Sequence, residues 1–441
     1  MNEKLFGDWI RAYTLTPGFD DSGVHRGLRN ADGTGVTVGV TKIGSVHGYV
    51  IRDERKVAMP GELIYRGYSV TDLVDAHQKE NTFGFEETAY LLLTGKLPSK
   101  SEFAQFQALL AEARILPDHF FEDMILKAPS RNVMNGLERS VLALYSFDAQ
   151  AEDNSPENLL RQAILLIGGF PTIVADSYTV KRHVFDGDSL YLHNPDPELT
   201  TAEDFLRMIR KDRSYSDDEA KLLDLMLMLH AEHGGGNNSA FSCRVLSSTG
   251  TDTYSAIAAA VGSLKGPLHG GANAKVMEML SFAKQEISAV SDANVRAWLE
   301  KVLSGTAGDR SGKIYGLGHA VYTESDPRAA AIRKYARKLA AQKGAEADLE
   351  LLEAIERVGV PMLMDRLGRK LQMCANVDLY SGLVYSMLGI PDELYTPLFA
   401  IARIVGWSAH RIEEVLAGGR IMRPAYRSDM QPAAYIPMDQ R

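Results

Sequence analysis

A mostly α-helical fold with a short N-terminal β segment is the class this sequence predicts, and three observations predict it. From Tyr65 onward apolar residues recur at helical spacing. Proline- and glycine-bearing breaks divide the chain into pieces of helix length: Pro60-Gly61, Leu97-Pro98-Ser99, Leu116-Pro117-Asp118, Gly169-Phe170-Pro171 and Asn194-Pro195-Asp196-Pro197. Ahead of these, Gly33 to Thr41 and Gly48 to Ile51 are short β-branched runs between glycines, which read as a small strand cluster or an N-terminal arm.

Bulk properties narrow the function. A chain of 441 residues corresponds to about three units of ~150 residues, or one large domain with a smaller one inserted. The 45% hydrophobic and 24% charged content is that of a soluble globular protein, and a net charge of -9 supplies no global basic field for nucleic acid or an anionic membrane. Cys243 and Cys374 stand far apart without a partner motif, which argues against a disulfide framework and a cysteine zinc site. The first residues are too polar for a signal sequence, and the apolar run Ala163 to Ala175, interrupted by glycines and Pro171, reads as too short for a membrane span. A cytoplasmic location is the expectation.

Taken in order, four stretches break local rules. His230-Ala231-Glu232-His233 closes an apolar helix and runs into Gly234-Gly235-Gly236, a way to present an imidazole from a helix end. These are zinc-ligand types, so a metal-dependent hydrolase is the alternative of a different class. The spacing is not His-Glu-x-x-His, however, and positions i and i+2 do not share a helical face. Gly266-Pro267-Leu268-His269-Gly270-Gly271-Ala272-Asn273 sets a histidine in a tight joint between two helices, the second capped by Asn273.

In Lys313 to Arg328, Gly316 and Gly318 free the backbone before His319, and Asp326-Pro327 starts a helix with Arg328 in its first turn. Asn376-Val377-Asp378 opens another helix, with Asn376 as cap and Asp378 in the first turn, where the helix dipole keeps a carboxylate ionised. Further on, Thr396-Pro397 reads as a helix start and Gly418-Gly419 as its end. That helix is apolar nearly all round, so Arg403 within it needs an anion, because an unpaired buried charge is very costly. Glycine-flanked histidines, a helix-start aspartate and arginines suited to carboxylates fit proton abstraction beside a carbonyl in a di- or tricarboxylate substrate.

These stretches, in this order, resemble the citrate synthase family, including the 2-methylcitrate synthases, over essentially the whole chain. The resemblance rests on His230 to His233 with Asn237 and Ser239, Gly266 to Asn273, and Gly318-His319 with Asp326-Pro327-Arg328. It rests also on Asn376-Val377-Asp378 with Tyr380-Ser381, Ala402-Arg403 with Gly406-Trp407, and Arg423-Pro424.

It implies a citrate synthase-like two-domain helical homodimer, with residues 1-271 and 376-441 in a large domain and 272-375 in a small one. The implied reaction joins acetyl-CoA to oxaloacetate and water, giving citrate and CoA as in the tricarboxylic acid cycle, with no metal and no tightly bound cofactor. By the same resemblance Asp378 is the base, His269 stabilises the enolate and His319 polarises the ketone. His233, Arg328, Arg403 and Arg423 hold oxaloacetate, Arg423 reaching the partner subunit's site, and Arg66 matches a further substrate motif. The backbone of Lys313, Ile314, Tyr315, Gly316 and Leu317 aligns with a CoA-binding loop.

Some positions depart from the family pattern. Gly234 replaces a common Glu, and Ala320 and Thr323 replace basic residues, which leaves the cations for the CoA phosphates unassigned. Tyr322-Thr323 and Ala231-Glu232 lean toward propionyl-CoA enzymes, whereas Leu268 and Val377 lean toward acetyl-CoA enzymes, so acceptance of both acyl groups is a third reading.

Overall fold

The computed structural model describes residues 22-30, 32-52, 55-368 and 372-440. The chain forms two compact units, one of residues 1-39 with 421-441 and one of residues 40-420. The described residues of the first unit hold 3-10 turns at Arg26–Leu28 and Met438–Gln440 and an isolated bridge between Arg29 and Gly35. Within it Arg427 donates to the Ser22 carbonyl at 3.0 Å. Of the two expectations for Gly33 to Thr41, the strand does not form: apart from the bridge at Gly35 this run makes no strand pairing. Six of its nine residues are glycine or threonine.

The second unit begins with an antiparallel sheet of β1 (Gly44–Arg52), β2 (Arg55–Tyr65) and β3 (Tyr68–Ser69), in the order β1-β2-β3. The Pro60-Gly61 break lies inside β2, and a shift in register between His47 and Tyr49 faces that stretch. Gly61 serves packing here: a Cβ would lie 2.1 Å from the Ser325 carbonyl oxygen.

The helices follow as α1 (Val70–Glu80), α2 (Phe85–Thr94), α3 (Lys100–Ala113), α4 (Val133–Leu144) and α5 (Pro156–Asp186). Next come α6 (Thr201–Ile209), α7 (Asp217–His230), α8 (Asn238–Ser247), α9 (Thr253–Lys265), α10 (Ala272–Glu286) and α11 (Asp292–Leu303). The last four are α12 (Pro327–Lys343), α13 (Glu346–Arg366), α14 (Asp378–Met387) and α15 (Tyr395–Leu416). Capping boxes open α3 at Ser99/Glu102, α6 at Thr200/Glu203 and α7 at Ser216/Glu219, each satisfying amide groups that a helix start leaves orphaned.

Like Pro60-Gly61, a second break read from the sequence is absent. α5 runs unbroken through Gly169-Phe170-Pro171, with Pro171 in its interior. Its 31 residues are long and apolar enough to cross a membrane, contrary to the expectation from the shorter run, but 83% of the apolar window is buried inside the protein. Packing on every side thus outweighs the loss of one amide hydrogen bond to proline. α15 starts at Tyr395, one residue before the expected cap Thr396, whose hydroxyl instead donates to the Gly270 carbonyl at 2.8 Å. α15 is the axis of the core. Between Tyr395 and Arg411 it is buried at nearly every position, against α2, α5, α7, α8 and α9. A polar group on this helix is therefore removed from water wherever it points.

Candidate active site

His269 sits in the turn between α9 and α10. Its amide and that of Gly270 both bond to the Gly266 carbonyl, at 2.9 and 3.0 Å. Gly270 is fixed by crowding, since a Cβ would lie 2.2 Å from the Leu264 carbonyl oxygen. Asn273 does not cap α10; Gly271 holds that position, and the buried Asn273 accepts the Ala274 amide at 2.8 Å from within the first turn. The half-buried imidazole places Nε2 3.1 Å from the Ser239 hydroxyl. That hydroxyl receives the Trp407 indole N–H at 3.1 Å and donates to Asn237 Oδ1 at 2.9 Å. Burial, and then the nearby Arg403 guanidinium, push the His269 pKa down to about 4, so the ring is neutral at pH 7.

His319 and Asp378 come from segments stitched together through the backbone. The Gly318 amide donates to the Cys374 carbonyl at 2.8 Å, the Asn376 amide to Gly316 at 2.9 Å, and Leu317 pairs with Ala375. The Asn376 side chain works in both directions, donating to the Gly318 carbonyl at 2.9 Å and accepting the Asp378 amide at 3.0 Å. It does not hold the cap position expected of it, which falls to Val377, and accepts the Asp378 amide from one place earlier. Gly316, in the left-handed region at φ +80°, lies so close to Leu379 that a Cβ would stand 2.9 Å away.

The Nδ1 of His319 accepts the Val321 and Tyr322 amides at 3.1 and 2.9 Å, which places the neutral ring's proton on Nε2. Tyr322 stacks on this ring with centroids 4.5 Å apart, and His233 meets it edge-on at 5.2 Å. Burial raises the Asp378 carboxyl to about 6, Arg328 and Arg403 opposing the rise and Asp326 adding to it.

Two guanidinium groups bind these pieces together. Arg328 is buried and paired in bidentate fashion with Asp326, Nε to Oδ1 at 3.0 Å and Nη2 to Oδ2 at 2.7 Å. Asp326 caps α12, as the sequence suggested, and also accepts the Val377 amide at 3.2 Å. Arg403 is wholly buried. Its Nε donates to the His230 carbonyl at 2.6 Å and its carbon lies 4.6 Å from the Phe399 ring centre, but Nη1 and Nη2 have no hydrogen-bond partner. Burial lowers its pKa to about 10, which still leaves it charged at pH 7.

Arg403 acts electrostatically on His269, His233 and Asp378, lowering the pKa of each. His233 has an unpartnered buried Nε2, and burial together with Arg328 holds its pKa far below the ordinary imidazole value. His230 is a packed histidine: Nδ1–H donates to the Met226 carbonyl at 2.7 Å, and burial lowers its pKa to about 3. His230 and Glu232 direct their bonded atoms to different partners, and among the described residues no three His, Cys, Asp or Glu gather as a metal site.

The remaining expected residues fall elsewhere. Arg66, in the left-handed region at φ +49°, donates to the backbone carbonyls of Leu92 at 2.9 Å and Lys42 at 3.5 Å and contacts none of the groups above. Arg423 is exposed and belongs to the terminal unit. In the loop before His319, Lys313 is exposed, Ile314 and Gly316 are buried, and Tyr315 and Leu317 are half-buried. Sequence reasoning missed Tyr322, Phe399 and Tyr65. Tyr65 ends β2 and donates its hydroxyl to the Glu232 carbonyl at 3.1 Å. An aromatic three residues beyond a glycine-flanked histidine was the available signal for Tyr322; the other two are paired across the chain and leave none.

A helical scaffold that buries neutral imidazoles, a carboxylate of raised pKa and an unpartnered guanidinium defines an acid–base enzyme acting on an anionic substrate. Comparison with known proteins agrees. Residues 30–425 match the model of the citrate synthase C-terminal domain. Citrate synthase from Synechocystis is 37% identical over 383 residues, covering 86% of this chain and 88% of that protein. The 2-methylcitrate synthase of Shewanella oneidensis is 33% identical, covering 86% and 92%. Citrate synthase from Thermoplasma acidophilum, solved in ternary complex with carboxymethyl coenzyme A and oxaloacetate, superposes with a TM-score of 0.75 at 27% identity over 95% of this chain and 99% of that one. The chain belongs to the citrate synthase family and is an acyl-transferring enzyme.

Proposed function

We propose that this protein condenses acetyl-CoA with oxaloacetate and water to give citrate and CoA. The observation that carries the substrate assignment is that Arg403 Nη1 and Nη2 and His233 Nε2 are all buried with no hydrogen-bond partner among the described residues, while Arg403 acts electrostatically on His233. A guanidinium in that state favours a carboxylate, and its planar fork accepts one bidentately. In this reading Asp378, ionised at pH 7 with a pKa about 6, takes a proton from the acyl α-carbon. Negative charge then grows on the thioester oxygen, and the neutral His269 N–H stabilises it. The enol carbon attacks the ketone of oxaloacetate while His319 Nε2–H donates to the new alkoxide. Hydrolysis of the citryl thioester releases CoA.

His233, Arg328 and Arg403 hold the oxaloacetate carboxylates, Arg423 of a second copy completes the site in a homodimer, and Arg66 acts through the fold. The loop 313-317 receives CoA by its backbone, residues 272-375 form a lobe that closes over the substrates, and the enzyme works in the cytoplasm. Propionyl-CoA is the second acyl substrate to consider, favoured by the similarity to a 2-methylcitrate synthase. One methylene is worth about 1 to 3 kcal/mol in a pocket, and the ratio of kcat/KM for the two thioesters reads it. A thiol-reporting dye should show free CoA when acyl-CoA and oxaloacetate are both present and not with either alone. Folded protein that gives no signal with acetyl- or propionyl-CoA overturns the proposal.

A further inference from the structure

Glu232 takes no part in the chemistry above, yet it is completely buried. Its Oε1 accepts the Gly234 amide at 2.5 Å and lies 2.8 Å from His410 Nε2. Its Oε2 has no hydrogen-bond partner and rests on α15 where Gly406 has no side chain; a Cβ there would stand 2.4 Å from it. His410 is equally buried, and its Nδ1 faces Arg244 Nε at 3.1 Å and Nη2 at 2.6 Å. A guanidinium can only donate, so Nδ1 is the acceptor and the neutral ring carries its proton on Nε2, aimed at Glu232. Arg244 is held in turn by Glu414 at 2.7 Å and by Glu413.

Arg403, Gly406 and His410 follow the spacing i, i+3, i+7 and share one face of α15. The Glu232 carboxylate occupies that face between the site's guanidinium and the histidine, and it is the strongest of the charges that oppose the effect of burial on Arg403. Through Gly234 it also grips the residue next to His233. We propose that Glu232 and His410 are positioning residues that hold Arg403 and the His233 turn in register for a dicarboxylate. This rests on the reading that those two groups bind oxaloacetate. Arg244 fixes the tautomer of His410, His410 fixes the rotamer of Glu232, and Glu232 fixes the cradle.

The test compares His410→Gln, which keeps a donor at the far end of the side chain, with His410→Asn, which is too short to reach Glu232. Oxaloacetate binding is followed by calorimetry and both KM values by thiol release, on the full-length protein with thermal unfolding alongside. H410N should weaken oxaloacetate binding and raise its KM about tenfold or more while the acetyl-CoA KM stays within about twofold, and H410Q should stay within about threefold of wild type in both. A support role for the fold alone would lower the unfolding temperature without separating the two substrates. Soluble H410N that binds oxaloacetate as wild type does, H410Q as defective as H410N, or both KM values rising together overturns the proposal. Should H410N not fold, Glu232→Gln, which keeps the size of the side chain and removes its charge, takes its place with the same two outcomes. Wild-type protein that binds oxaloacetate but releases no thiol would overturn the reaction and leave the positioning role standing.

Discussion

Asp378→Asn should abolish most turnover and at the same time stabilise the protein. The folded carboxyl has a pKa of about 6 against an ordinary 3.8, because burial raises it more than Arg328 and Arg403 lower it. Each pH unit of difference between folded and unfolded states is worth about 1.4 kcal/mol, so ionised Asp378 costs about 3 kcal/mol of stability at pH 7. Between about pH 4 and 6 the native state binds a proton that the unfolded chain has released. Wild-type stability therefore rises as pH falls through 6 toward 4, and asparagine, which does not titrate, lacks that change.

D378N should accordingly be the more stable protein at pH 7, with an advantage that shrinks through pH 6 and is gone by about pH 4. Urea midpoints of both proteins at pH 7, 6, 5 and 4, far-UV dichroism reporting, measure it directly. Turnover should drop by a factor on the order of 100 to 10,000, as for loss of a general base. Equal stability at pH 7, or a difference that does not change with pH, would refute the reasoning, because a carboxylate held at no cost is a structural one. The same pKa predicts that wild-type kcat/KM falls on the acid side with a midpoint near pH 6, by a factor of about ten per unit below it.

Two further outcomes follow from packing and charge. Arg403→Met removes a buried cation whose Nη atoms have no protein partner, so oxaloacetate binding by calorimetry should weaken at least about 100-fold, the equivalent of about 2.8 kcal/mol, without loss of folded protein. Gly270→Ala forces a Cβ to within 2.2 Å of the Leu264 carbonyl oxygen; thermal unfolding should show a loss of about 1 to 3 kcal/mol, with kcat reduced because His269 is displaced.

The class of fold was legible because helical periodicity is local, and the four unusual stretches stood out because glycines beside a histidine or an aspartate are unfavourable without a reason. The cap at Asp326 and the end of α15 at Gly418 follow from chemistry within a few residues. What was hidden depends on partners far along the chain. Pro171 stays inside α5 because neighbouring helices bury it, Thr396 leaves its cap for the Gly270 carbonyl, and Gly61 is spent on Ser325. Glu232 and His410, 178 positions apart, meet over a missing side chain at Gly406. No periodicity marks such a meeting.

The backbone bridges that join Gly316 and Gly318 to Cys374 and Asn376 close residues 319-373 into a loop with a sealed neck. His319 hangs at one rim of that neck and Asp378 at the other. The spacing of those two side chains is therefore set by short backbone hydrogen bonds, Gly318 to Cys374 and Asn376 to Gly316, and not by the packing of distant helices.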